Sequence, residues 1–151
     1  MATMIPDEQS DFTTPGEGAF YRFLHAVAKP DPHYIAWYLP VIQGHEPDFI
    51  VYSNQLGLVI FEVKDWVLEQ VVSADPQHFT LKISGSTEKR KNPLQQARDY
   101  IHQIMDKIKK DGRLVTVHGP AHGNVKIPVS YGVVFPNINK HETGSGQDNT
   151  L

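Results

Sequence analysis

Two segments of the chain carry apolar residues at the three- and four-residue spacing of an amphipathic helix. The first follows Thr14, which can cap a helix, and Pro15, which suits the first helical position. Glu17 can complete a capping box with Thr14. The apolar positions are Ala19, Phe20, Phe23, Leu24 and Val27. Because Lys29-Pro30 ends the pattern, we predict a helix from about residue 15 to residue 29.

The second helical segment begins at Asn92-Pro93 and is predicted to run from about residue 93 to residue 110. Its apolar stripe consists of Leu94, Ala97, Ile101, Ile104 and Ile108. A loop with glycine and histidine follows over residues 111–125.

Segments rich in β-branched and aromatic residues predict the strands. They are residues 34–42, 49–53, 57–66, 67–72, 79–83 and 129–135. Residues 57–66 are apolar on both faces, so this strand should be central and covered on both sides. Pro40 places the first strand at a sheet edge or ends it there. The order of elements predicts an α/β fold, in which helices flank both faces of one central mixed sheet.

The termini are polar. We expect residues 1–13 to form a loose arm, residues 14–138 to form the domain, and the glycine-rich residues 139–151 to be a disordered tail.

Composition excludes several classes of protein. A length of 151 residues with 40% hydrophobic and 21% charged residues fits one globular domain. The absence of cysteine removes disulfides, thiolate zinc sites and cysteine nucleophiles. No long apolar run or secretory signal is visible, so a cytoplasmic protein without a membrane span is expected. No dinucleotide-binding or Walker glycine motif occurs.

The net charge is −3, but the basic residues are unevenly distributed. Of the 14 Lys and Arg residues, one segment holds Lys89, Arg90, Lys91, Arg98, Lys107, Lys109, Lys110 and Arg113. The simplest interpretation is a solvated helix face, and the alternative is a phosphate-binding surface.

Glu62 and Lys64 are the charged residues of an otherwise apolar strand. Residues two apart point to the same face, about 6.6 Å from each other. Burying such charges costs several kcal/mol unless a partner holds them. Either the two side chains pair with each other or lie past the buried part of the strand, or they form a functional site at the end of a central strand.

Asp48 favours a site. It begins the strand before Glu62, and a turn near Asn54-Gln55 would bring the two acids side by side in an antiparallel hairpin. Two carboxylates and a backbone carbonyl, which we assign to Val63, suit Mg²⁺. The cation would polarise a phosphoryl oxygen and activate water, while Lys64 orients that water and offsets charge in the transition state.

Other candidates have two interpretations each. Glu17 is either a helix cap or a member of the site, since it borders the face that packs on the sheet. Gln96, Tyr100 and Lys107 share a flank of the second helix that either follows a phosphate backbone or faces solvent. The segment Lys89-Arg90-Lys91 is predicted to be a loop that either binds phosphate or is solvated. The histidines, His118 and His122 included, show no ligand spacing for zinc.

Pro47-Asp48 followed by Glu62-Val63-Lys64 resembles the PD-(D/E)xK nuclease superfamily. A wider set of motifs resembles the nuclease-related domain (NERD) family over residues 14–138. That set consists of Gly16-Glu17, Glu62-Val63-Lys64-Asp65-Trp66, Asn92-Pro93-Leu94-Gln95-Gln96 and Val133-Val134-Phe135. The sequence departs from the family around Asp48, where Glu46-Pro47 stands in place of the Gln-Ile often found.

The resemblance implies a restriction-endonuclease-like core and Mg²⁺-dependent cleavage of DNA, with Mn²⁺ as a substitute metal. It implies metal binding by Asp48 and Glu62, a catalytic Lys64, and site roles for Glu17 and Gln96. It also implies DNA processing or repair beside a fused or associated helicase, and a homodimer would be needed for concerted cuts in both strands. The alternatives are a DNA-binding accessory module and an unrelated structural domain.

Overall fold

The computed structural model describes residues 2–27, 33–41 and 44–139. Two α-helices lie among these residues, α1 (Pro15–Val27) and α2 (Pro93–Lys109). The strands are β1 (Thr3–Ile5), β2 (Tyr34–Tyr38), β3 (Phe49–Ser53), β4 (Gly57–Val63), β5 (Val71–Ala74), β6 (His78–Ile83), β7 (Ser86–Lys91) and β8 (Val129–Val134). Short 3-10 turns occupy Leu68–Gln70 and Gly112–Leu114.

Five strands form a mixed sheet in the order β1-β2-β3-β4-β8. β3 and β4 are antiparallel neighbours, as the hairpin prediction requires, and β8 runs parallel to β4 on its other side. β4 is therefore an internal strand. The α/β fold with a central mixed sheet is confirmed.

The two helices cover opposite faces of this sheet. Successive residues of a strand alternate between faces, and β3 shows this directly. Phe49 and Val51 lie in one core cluster with Phe20 of α1, whereas Ile50 lies in a second cluster with Ile101 of α2. Burial of these two apolar faces is the main source of stability for both helices.

A smaller antiparallel sheet, β5-β6-β7, lies between β4 and α2 in the chain. Three rings attach it to the main sheet. Trp66, just after β4, lies with its ring centroid 5.3 Å from that of Phe79 in β6 and 6.1 Å from that of Phe135, just after β8. This aromatic cluster fixes the small sheet beside the end of β4.

The predicted loop at Lys89-Arg90-Lys91 is wrong, because these residues lie in β7 and pair with β6. Charged side chains fill this strand, so it lacks the apolar alternation that identifies strands in sequence. The strand predicted over residues 67–72 is also displaced. A 3-10 turn at Leu68–Gln70 precedes β5.

The prediction of a loose arm over residues 1–13 is likewise corrected. Thr3–Ile5 forms β1, which pairs with β2 in parallel, and Ala2 and Met4 are buried in the core on the α1 side of the sheet. A strand of three residues paired to a distant segment leaves little signal in the local sequence. The ends predicted for α1 and β2, and the tail predicted from residue 139, fall largely outside the described residues. Among the described residues, neither α1 nor α2 has the length and apolar character that a membrane-spanning helix needs.

Candidate active site

The β3–β4 hairpin brings Asp48 to the end of β4. Phe49 pairs with Phe61, so Asp48, one residue before Phe49, lies beside Glu62 and Val63. The Val63 N–H donates to Asp48 Oδ2 at 2.7 Å. The hairpin register makes Asp48 and Glu62 neighbours, and each carboxyl group affects the pKa of the other. The proximity of the two acids predicted from the sequence is therefore present in the fold.

Glu62 is buried, and within the described part of the chain only one of its two carboxylate oxygens has a hydrogen-bond partner. Its side chain is 0% exposed, and its Oε2 accepts a hydrogen bond from Lys64 Nζ at 3.1 Å. Glu62 Oε1 has no hydrogen-bond donor among the residues that the structure describes. The negative charge of Asp48 disfavours a second negative charge on Glu62, and a proton or a cation between the two acids would relieve that repulsion.

The pKa values express the same imbalance. Burial, followed by the negative charge of Asp48, raises the pKa of Glu62 from 4.5 to about 7, against the opposing effect of the Lys64 ammonium. Burial also raises the pKa of Asp48, while the Val63 N–H and Lys64 lower it. A cation between the two acids would favour both ionised forms.

The oxygen donors fit a hard divalent cation, but as a small set. Asp48 and Glu62 offer two carboxylates, and the main chain of Val63 borders them. Within the described ranges, no three or more His, Asp or Glu side chains are grouped to hold a metal ion. Mg²⁺ usually keeps several waters and takes one or two carboxylates, so the pair fits Mg²⁺ better than a fully protein-ligated metal.

Glu17 is a cap and a neighbour of the site. Its N–H donates to Thr14 Oγ1 at 3.3 Å, as the predicted cap requires. Its buried carboxylate accepts a hydrogen bond from the Tyr38 hydroxyl at 2.6 Å. The negative charge of Glu17 contributes to the raised pKa of Asp48. The two interpretations of Glu17 are therefore compatible.

Asp65 connects α1 to the site, a role that the sequence reasoning did not assign. Its Oδ2 accepts a hydrogen bond from the Gly16 N–H at 3.1 Å, and its backbone carbonyl accepts one from Asn137 Nδ2 at 2.8 Å. A Cβ added at Gly16 would lie 1.6 Å from Asp65 Oδ1. Glycine is required here because the carboxylate approaches the first turn of the helix so closely. Asp65 thus fixes Glu17 relative to β4.

The first turns of α2 form the wall of the site opposite to α1. Gln96 Nε2 donates to the Tyr100 hydroxyl at 3.4 Å, and that hydroxyl lies 3.5 Å from the backbone carbonyl of Glu46, whose chain leads into Asp48. Burial raises the pKa of Tyr100, and the charges of Glu62 and Asp48 raise it further. Gln96 and Tyr100 are therefore brought to the acids.

The predicted basic residues separate into two groups. Arg90 and Lys91 line one pocket of about 310 Å³ together with Lys64 and Gln96. Lys89, which also lies in β7, is not among the residues that line this pocket.

Lys107 does not reach this pocket. It lies in a later turn of α2, about 16 Å along the helix axis from Gln96. There it lines a different pocket with Ile50, Leu58 and Ile104. The fold therefore does not bring Lys107 to the acids.

Comparison with known proteins gives one match. The family model for the nuclease-related domain matches residues 14–136. Among curated proteins no chain matches this one, and the solved structures likewise give no match.

Proposed function

The chain belongs to the nuclease-related domain family, and on that premise we propose that it is a Mg²⁺-dependent deoxyribonuclease that hydrolyses phosphodiester bonds. One observation carries this proposal. Glu62, which is wholly buried, has a carboxylate oxygen without a donor beside the carboxyl of Asp48, and Lys64 lies next to both acids. Such a cluster is costly for stability and is accounted for by a bound cation and a substrate phosphate.

Asp48, Glu62 and the carbonyl of Val63 would hold the cation, and Mn²⁺ should substitute for Mg²⁺. When bound, the cation supplies Lewis-acid polarisation of a phosphoryl oxygen and acidifies water. The chain itself contributes the two carboxylates, held together by the hairpin register and by the hydrogen bond from Val63 to Asp48.

Lys64 would act on the phosphate. Its side chain is 23% exposed, so the ammonium is reachable from solvent while it contacts Glu62. An ammonium at this position can donate to a phosphate oxygen and offset the charge that develops in the transition state. Its distance from Glu62, 3.1 Å, is short enough for both groups to act on one phosphorus.

Glu17 and Gln96 would support the reaction from either side. Glu17, fixed by Tyr38 and Thr14, adds negative charge near Asp48. Gln96, on α2, can orient water or a phosphate oxygen with its amide. Tyr100 would hold Gln96 in place.

DNA is the substrate that we propose, in processing or repair. Arg90 and Lys91 present cations next to Lys64, and neutralised phosphates supply most of the affinity in such complexes. Lys89 and Lys107 would reach DNA only outside this pocket. A helicase partner remains an expectation from the family resemblance, and a homodimer would be needed for concerted cuts in both strands.

The test is a cleavage assay on plasmid and single-stranded DNA with Mg²⁺, Mn²⁺ or EDTA. Glu62→Gln should abolish cutting and Lys64→Ala should reduce it at least about a hundredfold, while the fold is retained in both. Glu69→Gln, on an exposed turn, and Lys82→Ala, on the exposed side of β6, are matched controls that should cut normally. Cutting in EDTA, or undiminished cutting by Glu62→Gln, would refute the proposal.

A second candidate function is a DNA-binding accessory module of a helicase-type protein. It is favoured by the small donor set of the acid pair, because two carboxylates give a weak metal site. In that case DNA binding would depend on Arg90 and Lys91, and Asp48→Ala would change nothing.

A further inference from the structure

The pocket next to Lys64 is built from two kinds of wall. Trp66 and Ile83 form an apolar side, while Lys64, Arg90 and Lys91 supply cations and Gln96 supplies an amide. Its volume is about 310 Å³, and none of these six lining residues is acidic. A flat ring, a cation cluster and an amide together suit a nucleotide, which carries a base, a phosphate and hydrogen-bonding edges.

The apolar wall is fixed in advance of binding. Trp66 is half-buried and is held between β6 and the end of β8 by Phe79 and Phe135, at interplanar angles of 43° and 38°. Because this ring is already held by the protein, stacking a base on it orders few additional groups. Trp66 therefore has a role in the pocket in addition to attaching the small sheet.

The cations of the pocket can be released for a phosphate. Arg90 pairs with Glu88, and Lys91 pairs with Asp99, and both pairs are substantially exposed to solvent. Exposed ion pairs contribute little stability, so exchanging a carboxylate for a phosphate costs little.

Lys64 joins the pocket to the acid pair. Its Nζ lies 3.1 Å from Glu62 Oε2, and the same side chain lines the pocket with Trp66. A phosphate that contacts Lys64 at the acids would therefore have its attached sugar and base at the mouth of the pocket.

We propose that this pocket binds one unpaired nucleotide, with the base against Trp66 and the backbone at Lys64, Arg90 and Lys91. The position of the scissile phosphate rests on the proposed function, whereas the pocket itself does not. A base inside a duplex is stacked and paired and cannot enter a side pocket unless it is extruded. The substrate class is therefore single-stranded DNA, including frayed ends and flaps, rather than an intact duplex.

The test uses the fluorescence of Trp66 in a Trp37→Phe variant, which leaves one tryptophan. The probes are a single strand of about eight nucleotides, a strand of the same length that carries only abasic sites, and a blunt duplex, all in EDTA. The normal single strand should quench Trp66 and bind about tenfold more tightly than the abasic strand, because one base–aromatic stack is lost. Equal binding of the abasic strand, or equal quenching by the blunt duplex, would overturn the proposal.

Variants give a second readout, by anisotropy of a labelled single strand. Trp66→Leu should weaken binding of the normal strand about tenfold and leave binding of the abasic strand unchanged. Trp66→Phe should restore most of the affinity. Tyr131→Leu, an exposed ring on β8 outside this pocket, is the control and should bind normally. If Trp66→Leu does not fold, the proposal is still tested by comparing the binding of the normal and the abasic strand to the Trp37→Phe protein.

The two proposals can fail separately. Quenching by the single strand without any cleavage in Mg²⁺ would support the pocket and refute hydrolysis. Cleavage of duplex DNA as fast as single strands, with equal binding of the abasic strand, would refute the pocket and leave hydrolysis standing.

Discussion

Replacing Glu62 with glutamine should stabilise the protein at neutral pH while it abolishes cleavage. The substitution keeps the size of a side chain that is 0% exposed and removes a charge that lacks full compensation. The arrangement that would bind a cation therefore lowers stability when no cation is bound, because two carboxylates that repel each other are held close together.

The magnitude follows from the pKa of Glu62, which rises from 4.5 to about 7 in the folded protein. Between these values the folded protein keeps a proton that the unfolded chain has lost. Stability must then fall as the pH rises through this window, and it should level off above about 7. At about 1.4 kcal/mol per pH unit, the loss for Glu62 is at most about 3.5 kcal/mol. The raised pKa of Asp48 acts in the same direction.

The assay is urea unfolding in EDTA at several values from about pH 5 to about pH 8. Wild-type protein should lose stability over this range, and Glu62→Gln should lose about 1–3 kcal/mol less. Mg²⁺ added at the upper end should stabilise the wild type and not the variant. Glu69→Gln, on the exposed turn before β5, is the control and should follow the wild type. Equal pH slopes for Glu62→Gln and the wild type would refute the reasoning.

Further predictions concern the groups around the acid pair. Lys64→Ala should lower kcat at least about a hundredfold, and the pH profile of the remaining activity should shift upward, since the Lys64 charge lowers the pKa of Glu62. Gly16→Ala should destabilise the fold by about 1–3 kcal/mol, because the added Cβ would collide with Asp65. Urea unfolding measures this loss. Gly112→Ala is the control and should be tolerated, because a Cβ added there meets nothing within 4 Å. Asp65→Ala should lower the free energy of unfolding by about 1 kcal/mol and reduce cleavage. Asp65→Asn keeps an acceptor for the Gly16 N–H, so it should retain most of the stability and most of the cleavage. Equal effects of the two substitutions would contradict a role for this hydrogen bond.

The centre of the candidate site was predictable because it depends on local structure. A short hairpin fixes its own register, and the alternation of β4, continued into the next residue, then puts Glu62 and Lys64 side by side next to Asp48. The helices were predictable for a similar reason, since their apolar stripes repeat within a few residues.

The surroundings of the site depend on contacts between distant parts of the chain. Asp65 meets Gly16 across 49 positions of sequence, and no local pattern marks this contact except the glycine itself. β7 carries charged residues on both sides, so its pairing with β6 decides its structure. Helical spacing correctly predicts that Lys107 and Gln96 lie on the same flank of α2. The helix extends well past the site, however, so Lys107 lines a different pocket and the two residues would not contact one ligand.

The most direct test of the central claim is a crystal structure with Mn²⁺ and its anomalous density. One Mn²⁺ should lie between the carboxylates of Asp48 and Glu62, with Lys64 turned toward an adjacent phosphate or water. An enzyme that cleaves DNA in the same Mn²⁺ solution, yet shows its metal elsewhere and none between these two acids, would contradict the account.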